Sequence, residues 1–437
     1  MSALALVAHD RGVVVTGCDA GTGTGVVEDL VSRGIRVVQG HDPSHLEGAR
    51  ALVVSAAIPD GTPEVLYASE AGIPVISRKK ALAEMVASGR VIAVAGTHGK
   101  TTTTVMVGEM LTAAGLAPTC IAGGRVGTWG GNSLLGGDDL FVVEADEFDQ
   151  AFLELNPWMA VVTNIEPEHL ECYGSEAALY RAFTTFLNRS SCSVINSEDV
   201  GIKRLRTDDL KLSIGFGLGL GDIRARDLEQ ATEGSCCTVE LPDGQTVRLA
   251  LGVPGTHNVR NALAAMGVAW HLGLPLDPVL AALGRFQGVA RRFERLGRVK
   301  GIEFVDDYAH HPTEVRAAIE AARQAFPGSR LVVVFQPHLY SRTQREAGAT
   351  GEALAGADLV VVMDVYPARE EPIPGVSGEL VVAAARSAGS TVVYESSRDS
   401  VGERVRGMLE EGDVLLTLGA GDVTAVGRDL VEWLRAA

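Results

Sequence analysis

The chain is short of positive charge. Its 38 lysines and arginines face 55 aspartates and glutamates, a formal net charge of −17. No general field therefore draws in nucleic acid or anionic lipid, and any anionic ligand must be held by local cationic sites. Long apolar runs are absent too: none approaches the ~20 residues of a membrane span, and residues 1–10 lack the charged start of a secretory signal. A cytoplasmic protein with no membrane span and no nucleic-acid partner is expected. The six cysteines (18, 120, 172, 192, 236 and 237) show no metal-ligand spacing and read as reduced thiols. Repeats and low-complexity tracts are missing as well, and nothing in the sequence fixes an oligomeric state, monomer or dimer.

What is present is an ordinary globular composition, 46% hydrophobic and 21% charged, which excludes wholesale disorder. A chain of 437 residues exceeds one core and suggests two or three domains. Residues 1–88 read as a small α/β unit: a helix over 2–10, then short strands at 13–15, 35–38, 51–55 and 73–76. It opens without the strand and glycine turn that usually lead such a unit. A central unit spans 89–292. From 293 to 437, strands at 303–305, 331–335, 359–363, 391–394 and 414–418 alternate with helical patterns, as in a doubly wound domain.

The central unit begins with an apolar run that breaks into Gly96-Thr97-His98-Gly99-Lys100-Thr101-Thr102 and a helix start. Glycines let backbone N–H groups close on phosphate oxygens, the helix start adds partial positive charge, Lys100 supplies a point charge, and Thr101 offers a hydroxyl to Mg²⁺. The full Walker pattern would place glycine where Val94 stands, so this is a shorter form. Nucleotide triphosphate chemistry follows. Lys100→Ala is expected to abolish turnover with the fold intact, because it removes a ligand contact rather than core packing.

Four further clusters stand at strand ends. Glu144 closes an apolar strand downstream of the cradle, where an acidic residue commonly holds Mg²⁺, with Asp146, Glu147 and Asp149 crowding the same turn; the alternative is a solvated acidic loop. His169 ends Asn164-Ile-Glu166-Pro-Glu168-His169 and reads as a metal or phosphate group or as a structural histidine. Asp306-Asp307-Tyr308-Ala-His310-His311-Pro312-Thr313-Glu314 starts a helix and suits recognition of an ammonium, ribose or metal, with capping by Asp307 or Thr313 as the alternative, and the two can coexist. Arg291-Arg292, and Arg342 after Gln336-Pro-His338, suit an anion and are expected to face one cleft.

In this order, Gly-Thr-His-Gly-Lys-Thr-Thr-Thr-Thr (96–104), Glu-Ala-Asp-Glu-Phe-Asp (144–149), Thr-Asn-Ile-Glu-Pro-Glu-His (163–169), His257-Asn258, Arg291-Arg292-Phe293, the 306–314 motif, Phe-Gln-Pro-His (335–338) and Tyr-Pro-Ala-Arg-Glu-Glu-Pro-Ile-Pro-Gly (366–375) resemble the Mur ligases. These are the ATP-dependent amino-acid-adding enzymes of peptidoglycan precursor synthesis. The resemblance implies an α/β, three-domain Mur ligase architecture: a truncated N-terminal Rossmann-like domain for the UDP substrate (1–88), a central P-loop ATPase domain (89–292) and a C-terminal doubly wound Rossmann-like domain (293–437). Phe-Gln-Pro-His with Ser341-Arg342-Thr343 resembles the alanine-adding branch, and Phe183 stands where other branches carry a carbamylated lysine.

That branch implies ATP and Mg²⁺ as cofactors, UDP-N-acetylmuramate and L-alanine as partners, and an acyl-phosphate intermediate. By motif, Gly96 to Thr102 hold the phosphates, and Thr101, Glu144 and His169 organise Mg²⁺. Asn258 and Arg292 approach the nucleotide, and Asp307, Tyr308 and His310 lie where its ribose and the alanine meet. Lys100, Glu144, His169, Arg292, Asp307 and His310 are the expected catalytic set. The alternatives are a peptide-recycling ligase acting on the same sugar nucleotide and a truncated ATP-binding protein. Family members lead into Met-Ser-Ala-Leu-Ala with a strand and a glycine turn that wraps the diphosphate; this chain begins there, so a start upstream of Met1 is expected, with Asp19 left to hold part of the uridine end.

Overall fold

The computed structural model describes residues 1–21, 25–205, 212–368 and 370–436. Arg369, within the 366–375 motif, lies outside them. The chain divides into two compact units, one of Met1–Arg226, Val239–Val247 and Arg260–Leu283, the other of Asp227–Thr238, Arg248–Val259 and Gly284–Ala437.

In the first unit, helix Ser2–Asp10 buries Ala3, Leu4 and Val7 in the same core as Val91, Phe141 and Phe183. Two parallel pairs follow as separate two-stranded sheets, Thr16–Asp19 with Arg36–Gln39 and Leu52–Val54 with Val75–Ser77. The strand expected at 13–15 is corrected. Val13 and Val14 stand exposed, and pairing begins only at Thr16, opposite Arg36: β-branched side chains favour a strand but do not supply its partner. The strand expected at 73–76 starts later, since Pro74 has no N–H and contributes only its carbonyl, to Leu52 N.

The central sheet explains where the chemistry gathers. Arg90–Ala95, buried from its second residue onward, pairs in parallel with Leu140–Glu144 on one side and Met159–Val162 on the other. A strand buried on both faces reads as one continuous apolar run, as here. Parallel register brings the carboxyl ends of all three strands to one edge, with Val94 opposite both Glu144 and Val161, so the cradle, the acidic turn and the 163–169 segment leave the sheet side by side. Strands Thr119–Val126 and Gly131–Leu134 lie beyond Leu140–Glu144; Cys192–Asn196, Ser213–Gly217, Ile223–Ala231, Gly234–Glu240 and Thr246–Leu251 lie beyond Met159–Val162. The outer ones alternate buried and half-exposed residues and were not foreseen.

The second unit has a six-stranded sheet in the order Glu294–Val299, Ile302–Asp307, Val414–Leu418, Leu331–Phe335, Leu359–Val362, Val392–Tyr394. Successive side chains serve two cores: Val305, Val333 and Leu416 face one layer, and Phe304, Val332, Val334 and Leu415 the other. Helices on both faces give the expected doubly wound form. The first strand is an antiparallel edge hairpin, which makes the sheet mixed. Helix Pro312–Ala325 is capped by His311, not by Asp307 or Thr313: the imidazole accepts from Thr313 N–H, and Glu314 reaches back to the His311 N–H.

Candidate active site

The turn after Arg90–Ala95 is shaped by what its glycines approach. Gly96 has φ 131°, and a Cβ there would lie 2.2 Å from Thr163 Oγ1 and 2.9 Å from Asn164 O; at Gly99, φ 81°, it would lie 2.5 Å from Asn261 Oδ1. Only glycine fits either place. Asn164 wires the turn from behind. Its carbonyl accepts from Thr97 N–H at 3.0 Å, and its side chain accepts from His98 N–H at 2.8 Å and donates to His98 O at 3.0 Å. Thr163 Oγ1 donates to His98 O at 2.6 Å, and Glu166 N–H donates to Thr97 Oγ1 at 2.8 Å. The amides of Thr97 and His98, expected on phosphate, are thus committed to Asn164. The amides suited to an anion are the opening ones of helix Lys100–Ala113, with Gly99 as its N-cap, since the first turn of a helix has no intrahelical acceptors for its N–H groups.

Lys100 Nζ donates to Gly96 O at 2.7 Å and to Glu147 Oε2 at 2.7 Å. Glu147 is buried, at 2% exposure, and the Lys100 side chain is 13% exposed. Burial works against the ammonium, but Glu147, Asp146 and Glu144 outweigh it and hold Lys100 above the ordinary lysine range. Burial, with Asp146 behind it, raises Glu147 against the pull of Lys100. The two shifts have different origins, neighbouring carboxylates for Lys100 and burial for Glu147. Tyr173 Oη fixes the turn by donating to Glu147 O at 2.6 Å. Glu144 accepts from Gly123 N–H at 2.5 Å. His169, at φ 55°, holds its imidazole 3.7 Å from Glu168 and 3.5 Å from Glu171, edge-on to Phe148 at 5.1 Å.

The pairing changes the outcome expected for Lys100→Ala: alanine would leave the Glu147 carboxylate buried without a counter-charge, so stability falls along with turnover.

In the second unit the carboxyl ends of Ile302–Asp307, Leu331–Phe335 and Val414–Leu418 again share an edge. Asp306, fully buried, accepts from Thr417 and Thr424 at 2.6 and 2.7 Å and lies 3.4 Å from Arg291 Nε. Asp307 accepts from Phe293 N–H at 2.7 Å and Ala309 N–H at 2.8 Å. Burial pushes its carboxyl up to about 6, against the opposing charge of Arg292. The Arg291 and Arg292 guanidiniums each lie 5.0 Å from the Tyr308 ring centre. His310 Nδ1–H donates to Tyr308 O, 3.0 Å away, and a file of rings continues through His338, 5.7 Å on, to Tyr366. Arg291 also donates to Gly419 O at 2.6 Å, while Gln336 meets Asp422 and Val423 N–H in the same loop, and Arg342 stands 3.3 Å from His338 Nδ1. Asn258 is buried and donates to Pro254 O at 2.7 Å.

Comparison with known proteins decides the family. Residues 1–90 match the Mur ligase family catalytic domain, 94–269 the Mur ligase middle domain, and 291–421 the Mur ligase glutamate ligase domain. The UDP-N-acetylmuramate–L-alanine ligase of Nitratidesulfovibrio vulgaris is 41% identical over 99% of this chain and 96% of its own length. The chain belongs to the Mur ligase family. A relative of the same name from Mycolicibacterium smegmatis is 44% identical over 100% of this chain and 93% of its own. The crystal structure of UDP-N-acetylmuramate-alanine ligase from Thermotoga maritima superposes with a TM-score of 0.87 at 30% identity, covering 100% and 96% of the two chains. A murein peptide ligase from Psychrobacter arcticus gives 0.74 at 26% identity, covering 99% and 96%.

In this Mur ligase, the reading of Phe183 as a residue other than lysine acquires a packing role, since its ring meets Phe152 at 5.0 Å in the core. Sequence reasoning passed over Asn164 and Asn261 and took Glu147 only as one of the acids crowding the turn. Asn164 and Glu147 stood inside quoted motifs, but only the structure separates residues that build the turn from residues left to face a ligand.

Proposed function

We propose that this chain joins L-alanine to the lactyl carboxylate of UDP-N-acetylmuramate at the expense of ATP, giving ADP and phosphate. The observation that supports it most is the shared sheet edge at which a glycine-locked turn, a half-buried lysine and a surplus of carboxylates meet. The relatives at 41 to 44% identity carry that activity in their names.

A carboxylate is a poor electrophile, because attack by an amine would have to expel oxide. In the proposed reaction a carboxylate oxygen bonds to the γ-phosphorus as the bond to the bridging oxygen breaks and ADP leaves. The amine of alanine then attacks the acyl phosphate, phosphate departs, and the amine proton is released. Lys100 and the opening amides of helix Lys100–Ala113 neutralise the phosphates through the first step. Asn164 and Thr163 keep the turn rigid, so no reorganisation is needed as charge moves. We assign Thr101, Glu144 and His169 to Mg²⁺; the carboxylates gathered around Lys100 suit a divalent cation. When bound, that ion would add charge neutralisation at the transferred phosphoryl group. Asn258, Arg292 and Tyr308 are assigned to the nucleotide. Asp307, by accepting from Phe293 and Ala309, sets the backbone that carries Tyr308 and His310 toward ribose and amine.

Phosphate release from ATP in the presence of UDP-N-acetylmuramate tests this reading, with L-alanine, other amino acids and the murein tripeptide compared as acceptors. Release that requires L-alanine is expected. Release that requires the tripeptide would transfer the chain to the recycling activity, and release indifferent to any acceptor would remove the ligase reading.

A further inference from the structure

Away from the cradle, the first unit gathers three metal-binding side chains around one buried carboxylate. Glu64, in the first turn of helix Pro63–Ala71, is 2% exposed. Cys18 comes from strand Thr16–Asp19, and His41 follows strand Arg36–Gln39. Cys18 Sγ lies 3.2 Å from Glu64 Oε1 and 3.6 Å from His41 Nδ1, and His41 Nδ1 lies 3.2 Å from Glu64 Oε1. His45 Nδ1 approaches the same oxygen at 3.4 Å, and Asp42 N–H at 2.9 Å. Four groups thus converge on Oε1, while Oε2 is buried with no hydrogen-bond partner. A carboxylate offers acceptor sites on both of its oxygens. Leaving one buried oxygen empty beside an overcrowded one is a costly arrangement.

We propose that Cys18, His41 and Glu64 bind a divalent cation of zinc's class, with His45 beside them to close the shell. In a tetrahedral site with bonds of about 2.0–2.3 Å, ligand atoms stand roughly 3.3–3.8 Å apart, close to the three separations found here. Thiolate with imidazole selects zinc or cobalt over magnesium, which takes oxygen ligands. Binding displaces the thiol proton to solvent, and the freed carboxylate oxygen turns toward the ion or its water. The ion would tie both strands of one parallel pair to the helix that follows the first strand of the other, joining two sheets that share no backbone ladder among the described residues.

Cobalt(II) titration of the full chain, stripped of metal by chelation, tests the site by binding and not by turnover, so its failure is separate from failure of the ligase reading. One equivalent should bind with a thiolate-to-cobalt charge-transfer band in the near ultraviolet. Cys18→Ser, which alters a half-buried atom, should remove the band while circular dichroism stays unchanged. Glu64→Gln should weaken affinity by about 100-fold or more; should that variant misfold, His41→Gln carries the same expectation. No saturable cobalt binding in the native chain, or a band that survives Cys18→Ser, overturns the proposal.

Discussion

The turn at 96–102 and the edge formed by 291–310 are two ways of preparing polar groups for a charged ligand. The first is made of backbone. Two glycines admit close neighbours, Asn164 occupies amides and a carbonyl, and one lysine is locked against a buried glutamate. The second is made of side chains, with guanidiniums stacked on Tyr308 and a carboxyl at 307 whose two oxygens hold main-chain N–H groups. A backbone cradle tolerates almost no substitution at its close approaches, whereas a stacked edge loses function in steps.

Lys100 gives the largest contrast. Lys100→Ala should lower turnover by about 10³-fold or more through lost phosphate neutralisation and destabilise the fold by about 3–5 kcal/mol through the stranded Glu147. The double variant Lys100→Ala/Glu147→Gln removes the unpaired charge. Denaturant unfolding should show stability largely restored while phosphate release stays absent. If both properties recover together, Lys100 acts on the fold and not on phosphate.

The same contrast explains what could be read before any coordinates. A backbone cradle writes itself into consecutive residues, because glycine, lysine and threonine must follow one another at fixed spacing; Gly96 to Thr102 were legible for that reason. So were the inner strands 331–335 and 414–418, the first an unbroken apolar run and the second broken only by Thr417, whose expected bounds match the observed ones. The partners that hold the cradle were not, since Asn164 and Asn261 arrive from distant segments with no spacing rule. The outer strands between 213 and 251 escaped because half-exposed edges carry a weak apolar period. Cys18, His41 and Glu64 are separated by 23 residues each, far beyond the local spacing that marks a metal motif. The misplaced strand at 13–15 shows the converse error, in which apolar residues imitate a strand without a partner.

Tyr308 tests whether the second edge fails in steps. Each guanidinium over the ring contributes about 0.5–1 kcal/mol at a solvent-exposed site. Arg291 has other anchors, Asp306 and Gly419 O, while Arg292 has the ring and a glutamate 3.8 Å away. Tyr308→Ala should therefore free mainly Arg292 and raise KM for ATP about three- to tenfold, with Tyr308→Phe within about twofold of the native chain because the ring face is kept. A phenylalanine variant as impaired as the alanine one would assign the effect to the hydroxyl and break the stacking account.

Asp307 supplies the smallest effect and the most direct view of its surroundings. Its folded value of about 6 lies above the ordinary 3.8 because burial disfavours the anion. The folded chain therefore holds this proton more tightly than the unfolded chain. The contribution of this group to stability is full below the unfolded value and is lost as pH rises through about 6, opposite in sign to a salt-bridged carboxylate. Carbon-13 carboxyl NMR, assigned by the signal missing in Asp307→Asn, should give a midpoint near 6. Arg292 is the charge that pulls the value down, so Arg292→Ala should move the midpoint further up. A native midpoint in the usual carboxylate range would mean that charge and not burial governs this edge, and the two regions would then work by the same means.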